Sequence, residues 1–163
     1  MTTDVQFATL DPFARGHSAP AATAKPLVNP ISGLANDYLN LFNELVMMLE
    51  QLPQMPELID DLLAWRPETY RDYFERSQLA GRHNALAAYE RLDPSFRRRF
   101  EAYVVELDTI AVASVAAVRL HYRNGPPQDP SRVAGTCARA GEKMRAILIR
   151  CSRLVNYGNY GEE

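Results

Sequence analysis

The chain has 163 residues, of which 47% are hydrophobic, and its formal net charge is −2. This length and composition are typical of one globular domain with a buried core. No uncharged run approaches the roughly 20 residues that a transmembrane helix needs, and the near-balanced charge excludes a global attraction to nucleic acid or to an anionic membrane. We therefore expect a cytoplasmic protein that does not bind membranes.

The N-terminal segment, residues 1–30, contains four prolines and few large apolar side chains. Because it offers too little apolar surface to offset the entropy of ordering it, we predict a flexible, disordered tail. Within this tail the motif FATLDPF places Phe7, Leu10 and Phe13 three residues apart. That spacing suits one helical turn on a partner, although a solvated tail is the simpler interpretation.

From Leu34 onward, apolar residues recur at alternating intervals of four and three, which is typical of an amphipathic helix. This helix ends at Pro53, and a short second helix is predicted from Pro56 to just before Pro67. The first helix also carries a stripe of amides, which are either solvated or hydrogen-bonded to a partner helix. The stripe consists of Asn36, Asn40 and Asn43.

Two long helices are predicted to start with the same tripeptide, Asp93-Pro94-Ser95 and Asp129-Pro130-Ser131. In each, the aspartate is the expected N-cap and the proline the first helical residue. In the helix that begins at Asp93 the apolar residues recur at helical spacing as far as Asn124-Gly125, where we expect it to end. In the helix that begins at Asp129 they recur as far as Tyr157-Gly158.

Shorter helices are expected between Pro67 and Leu92, and no segment alternates with the period of two that a strand requires. We therefore predict an all-α fold, an antiparallel helical bundle of about four to five helices with a disordered N-terminal tail. The bundle domain is predicted to span residues 31–158, followed by a short C-terminal tail at residues 159–163.

The sequence contains none of the metal-binding or redox spacings Glu-x-x-His, His-Glu-x-x-His and Cys-x-x-Cys. We therefore predict no cofactor and no metal. Cys137 and Cys151 lie fourteen residues apart on one predicted helix, hence about 21 Å apart, whereas a disulfide needs Cα atoms within about 7 Å. Both thiols are predicted to be buried, and a redox or intermolecular role is the alternative.

Charge is distributed unevenly along the chain. Residues 31–65 carry six acids and no base, residues 66–100 carry eight arginines against five acids, and residues 131–163 sum to +3. This pattern indicates either complementary rims of neighbouring helices or a basic face for an anionic partner.

Three arginines, Arg97, Arg98 and Arg99, occupy the first turns of a predicted helix, where the helix dipole disfavours cations. We therefore expect them to be held by the acidic 31–65 segment or by an external anion.

The stretch LAWRPETYRDYFERSQLAGRHNAL, residues 63–86, is rich in aromatic and basic residues. It divides at Pro67, and we predict that Tyr70 and Phe74 face the core. Trp65 and Arg71 join Arg97, Arg98 and Arg99 as candidate partner-binding residues. His83 is the candidate for phosphotransfer or acid/base chemistry, because phosphotransfer modules carry a histidine on a bundle helix. The simpler interpretation is a half-wet boundary histidine.

These observations favour a non-enzymatic macromolecular interaction module, a bacterial regulatory or adaptor protein whose partner is another protein, with homo-oligomerisation as a further candidate. One alternative is a histidine phosphotransfer-like or other small helical enzyme that uses His83. The other is a weak nucleic-acid binder through the 66–100 segment, where Tyr70, Tyr73 and Phe74 alternate with arginines. The acidic overall charge disfavours nucleic acid.

Overall fold

The computed structural model describes residues 26–159, which form six α-helices and no strand. The helices are α1 (Asn40–Gln51), α2 (Ile59–Ala64), α3 (Tyr70–Arg76), α4 (Arg82–Glu90), α5 (Pro94–His121) and α6 (Pro130–Tyr157). Single 3-10 turns at Asn36–Leu39 and Pro56–Leu58 lead into α1 and α2. The all-α prediction is confirmed, with one helix more than the predicted range. The FATLDPF motif and residues 160–163 lie outside the described residues.

The two long helices begin at the predicted caps. The Asp93 carboxylate accepts a hydrogen bond from the Phe96 N–H at 3.1 Å, and the Asp129 carboxylate accepts one from the Ser131 N–H at 3.1 Å. A proline occupies the first helical position in both cases. An N–H at this position would have no acceptor within the helix, so the proline costs no hydrogen bond. Local capping chemistry therefore sets the start of both helices.

Helix α6 is central, because both α5 and α1 pack against it in antiparallel orientation. The contacts along α5 and α6 run in opposite directions in the two segments. They join His121 to Thr136 at 2.9 Å, Glu106 to Arg150 at 3.7 Å, and Arg99 to Asn159, just after α6, at 2.7 Å. Contacts between α1 and α6 do the same: Glu50 to Arg145 at 2.5 Å and Asn36 to Asn156 at 2.5 Å. The predicted antiparallel bundle is confirmed.

A glycine lets α1 and α6 approach each other closely. Gly141 is buried, and a Cβ placed on it would lie 3.4 Å from Cγ of Glu50. A larger side chain would therefore push against the same glutamate that bridges the two helices.

An aromatic cluster fills the core where α3 and α4 cover the bundle. Phe100, 1% exposed, lies at its centre, with ring centroids 6.1 Å from Tyr38, 5.7 Å from Tyr70 and 6.4 Å from Tyr89. The Tyr70 hydroxyl accepts a hydrogen bond from the Ala35 N–H at 3.0 Å. Tyr70 and Phe74 are both buried, as predicted.

The chain before α1 already packs on the bundle. Leu27 and Val28, which the sequence assigns to the flexible tail, are half-buried against the core. Asn29 fixes the following turn, because its N–H donates to the Leu34 carbonyl and its carbonyl accepts from the Gly33 N–H, both at 2.8 Å. The predicted boundary at residue 30 thus falls inside packed chain.

None of the six helices within residues 26–159 combines the length and the apolar character that crossing a bilayer requires.

Candidate interaction site

Arg97 is tied to its own end of the bundle. Its Nε lies 3.7 Å from Oε1 of Glu101, one turn further along α5, and its guanidinium stands 5.9 Å from the centre of the Tyr89 ring. The expectation that the acidic 31–65 segment holds this arginine is wrong, because within the described chain its carboxylate partner is Glu101. The local i,i+4 spacing supplies the acid that we expected from another helix.

The two neighbouring arginines differ in exposure. Arg99 is half-buried, its guanidinium lies 6.0 Å from the Phe96 ring centre, and it donates to the Asn159 side chain at 2.7 Å. Arg98 is exposed. Of the three arginines predicted to bind a partner, Arg98 therefore offers its charge to solvent most fully.

Trp65 lies in the core rather than on a binding surface. It is 7% exposed, its indole N–H donates to the Leu41 carbonyl at 2.9 Å, and its ring packs 6.0 Å from that of Phe42. Arg71 is exposed, but it pairs with Glu75 at 3.4 Å and with Glu90. Of these two residues, only Arg71 presents its charge at the surface, and that charge is paired.

His83 is exposed on the first turn of α4. Within residues 26–159 no carboxylate hydrogen-bonds to its ring, and it lines none of the clefts described below. The arrangement that orients a catalytic histidine is a partner on the second ring nitrogen. The phosphotransfer or acid/base role of His83 stays a prediction.

The 66–100 segment does not present the stacking surface expected of a nucleic-acid binder. Tyr70 and Phe74 are buried, and Arg76 is held by Glu68 through two hydrogen bonds of 2.7 and 2.6 Å. Base stacking needs exposed ring faces beside available cations. Of the three rings, only Tyr73 is half-exposed, with the Arg76 guanidinium 5.7 Å from its centre, and several of the cations in this segment have acidic partners.

Both cysteines are buried, and burial disfavours the thiolate. Cys137 is 1% exposed and Cys151 0%. Desolvation raises the pKa of the Cys137 thiol and raises that of Cys151 to about 12. No group of three or more metal-ligating side chains is assembled within the described part of the chain.

We expect both thiols to be unreactive toward a disulfide reagent at neutral pH while the protein is folded, since the thiolate is the attacking species. Spectrophotometric titration with the reagent, with and without denaturant, measures this. Two equivalents should react only after unfolding. Rapid labelling of either cysteine in the folded protein would instead indicate a redox-accessible site.

Of the six described helices, α6 has the largest formal net charge. This helix carries six cations and one acid, Glu142, hence +5. Arg132 and Arg150 lie 3.9 and 3.7 Å from Asp129 and Glu106, both at the long end of ion-pair distances. Arg145 pairs with Glu50, and within residues 26–159 no carboxylate pairs with Arg139, Lys143 or Arg153. We call the exposed side of the helix the α6 face: Arg132, Arg139, Lys143, Ile149, Arg150, Arg153 and Tyr157.

A groove with a volume of about 590 Å³ runs between α1 and α6, and Ile149, Arg153 and Tyr157 of this face line it. The other cations lie on the side of α6 that faces α5, where Arg139, Lys143 and Arg150 line shallower clefts. A hydrogen-bonded bridge crosses it near each end. At one end Arg145 donates two hydrogen bonds to Glu50 at 2.5 and 2.6 Å, and at the other Asn36 donates to Asn156 at 2.5 Å. We call the space between these bridges the α1–α6 groove.

The groove combines amides, a cation and apolar surface. Asn40 and Asn43 of the predicted amide stripe line it, both exposed, opposite Arg153 and Ile149 of α6. Ile149 is 57% exposed, and Tyr157 at the end of the groove is 55% exposed. Such a set of donors, acceptors and apolar groups can bind a polypeptide segment.

The Glu50–Arg145 bridge depends on ionisation. The hydrogen bonds from Arg145 are the main cause that lowers the pKa of the Glu50 carboxyl. The bridge is therefore complete at neutral pH and is lost when acid protonates Glu50.

Comparison of the chain with protein-family models, with curated proteins and with solved structures gave no match. The function is therefore argued from the geometry of this surface.

Sequence reasoning found one half of the surface and missed the other. The amide stripe of α1 follows directly from helical spacing. The α6 face was missed because the sum over residues 131–163 includes Glu162 and Glu163, which reduce +5 to +3. Counting charges within the capped helix, residues 130–157, would have identified it.

Proposed function

We propose that this protein is a non-enzymatic interaction module, a bacterial regulatory or adaptor protein that binds a segment of another protein. The α1–α6 groove and the α6 face are its binding surface. One observation carries the proposal: a groove lined by exposed amides runs along α6, on which the exposed Arg139, Lys143 and Arg153 have no carboxylate partner within residues 26–159.

The dimensions of the groove suit a short helix. Its two bridges use Arg145 and Asn156, eleven positions apart on α6, which corresponds to about 16 Å at the rise of an α-helix. About three turns of a partner helix fit this length. Two antiparallel helices with a groove between them offer such a third helix its ordinary packing position.

Charge complementarity specifies the partner further. Arg139, Lys143 and Arg153 are exposed along one side of α6. An acidic segment would be attracted to this face, and the attraction would weaken with added salt. Ile149 and Tyr157 supply apolar contacts, which an amphipathic acidic helix would cover with its apolar side.

Affinity capture from the native cell with paired charge-reversal variants tests the proposal. Arg150→Glu/Arg153→Glu inverts two charges of the α6 face. Arg91→Glu/Arg98→Glu makes the same change in charge at exposed arginines elsewhere, including the predicted Arg98. Circular dichroism must show that both variants fold.

We expect the wild type and the Arg91/Arg98 variant to recover the same protein, and the α6 variant to recover about tenfold less of it. The opposite pattern, with loss only in the Arg91/Arg98 variant, would place the interface at the N-terminus of α5 and refute the proposal.

A further inference from the structure

A second cleft lies away from the α1–α6 groove, where α2 meets the loop between α5 and α6. Its volume is about 450 Å³, within the range of ligand pockets. Leu52 and Val133, both buried, form its base, and the half-buried Ile59, Leu63 and Tyr122 form its walls. We call it the anchor pocket, because its interior is apolar and open to solvent.

The rim of the anchor pocket is stiff. Five of the residues that line it are prolines, at positions 53, 56, 126, 127 and 130. A proline ring fixes φ, so these segments have little conformational freedom to lose when a side chain enters. The pocket is thus preorganised for one large apolar group.

The charge beside the pocket is negative. Asp60 is the one charged side chain among the lining residues, and Glu57 and Asp61 flank it in the chain, all three exposed. No base lies between residues 51 and 65. Of the cations near the pocket, Arg119 donates to the Leu63 carbonyl at 3.1 Å and Arg132 lies 3.9 Å from Asp129, whereas Arg123, next to Tyr122 in the chain, is exposed and has no carboxylate partner within residues 26–159.

We propose that the anchor pocket binds a basic segment of a partner protein through one large apolar side chain, with Glu57, Asp60 and Asp61 attracting the flanking cations. A preformed apolar pocket that takes one anchor residue, next to charges that orient the rest of the segment, is a common arrangement at protein interfaces. This site shares no residue with the α1–α6 groove, so it does not depend on the function proposed there. A protein with an acidic and a basic binding surface can join two different partners.

Titration of the isotope-labelled full chain with three short synthetic peptides, followed by amide NMR, tests the proposal. The peptides KKGSFGSKK, KKGSAGSKK and EEGSFGSEE separate the contribution of the apolar anchor from that of the flanking charge. We expect the first peptide to shift the amides of residues 59–63 and 122–133. The other two should bind about fivefold more weakly or not at all. Equal binding of all three would overturn the proposal.

Paired variants test which carboxylates attract the basic peptide. Asp60→Asn/Asp61→Asn should weaken the first peptide about fivefold, whereas Glu44→Gln/Glu142→Gln removes two exposed carboxylates from other helices and should leave its affinity unchanged. Equal loss in both pairs would show only a dependence on overall charge and would refute the site.

The same NMR experiment would also detect two other possible occupants of the anchor pocket. Shifts of the pocket amides on tenfold dilution without peptide would mean that a second copy of the chain fills it. Tighter peptide binding by Phe13→Ala would mean that the chain's own N-terminal segment does. Either result would overturn the assignment to a partner.

Discussion

Replacing Phe100 by alanine is expected to lower the free energy of unfolding by about 3 to 5 kcal/mol. Phe100 is 1% exposed and contacts the rings of Tyr38, Tyr70 and Tyr89. The variant loses the favourable free energy of removing the ring from water and the contacts with the neighbouring rings. It also leaves a cavity that the rigid neighbours cannot fill. Since domains of this kind are stable by roughly 5 to 15 kcal/mol, the loss would be a large part of the total.

Urea unfolding followed by the fluorescence of Trp65, the one tryptophan, measures this loss. Phe100→Leu is the matched control, because leucine fills much of the same volume, and its cost should stay below about 2 kcal/mol. A cost under about 1 kcal/mol for the alanine variant would contradict the central place of Phe100 in the aromatic cluster.

Replacing Trp65 by alanine should also cost about 3 to 5 kcal/mol of stability, because the side chain is buried between α1 and α2. Trp65→Phe keeps the ring contact with Phe42 and loses the hydrogen bond to the Leu41 carbonyl. We expect this smaller change to cost about 1 to 2 kcal/mol.

Urea unfolding followed by circular dichroism is the appropriate measurement, since the variants lack the only tryptophan. If Trp65 instead served partner binding, as the sequence predicted, the alanine variant would keep its stability and lose its partner. That pair of results would reject the structural assignment.

Features that depend on neighbours in the chain could be predicted from the sequence. Short-range spacing predicts the caps at Asp93 and Asp129, the buried seam of α6 and the core positions of Tyr70 and Phe74. Each depends on the rules of a single helix. These rules hold before tertiary contacts form.

Features that depend on distant parts of the chain could not be predicted. Trp65 is buried because a carbonyl of α1, twenty-four positions earlier, accepts its indole N–H. The α1–α6 groove lies between two helices distant in sequence, and the bridge at one of its ends joins Glu50 to Arg145, ninety-five positions apart. Neither pairing has a signature in the sequence. For the ion pair, any of several acids and arginines could have formed the contact.

Site-specific photo-crosslinking in the native cell tests the central claim, that the α1–α6 groove binds another protein, most directly. A photoreactive residue is placed at Asn43 or Ile149 in the groove, at Arg98 on α5, or at the exposed Gln78 after α3 as a control.

We predict that Asn43 and Ile149 crosslink to the same protein, that Gln78 does not, and that Arg150→Glu/Arg153→Glu removes the product. Crosslinking from Arg98 alone, or no product from either groove position, would contradict the claim.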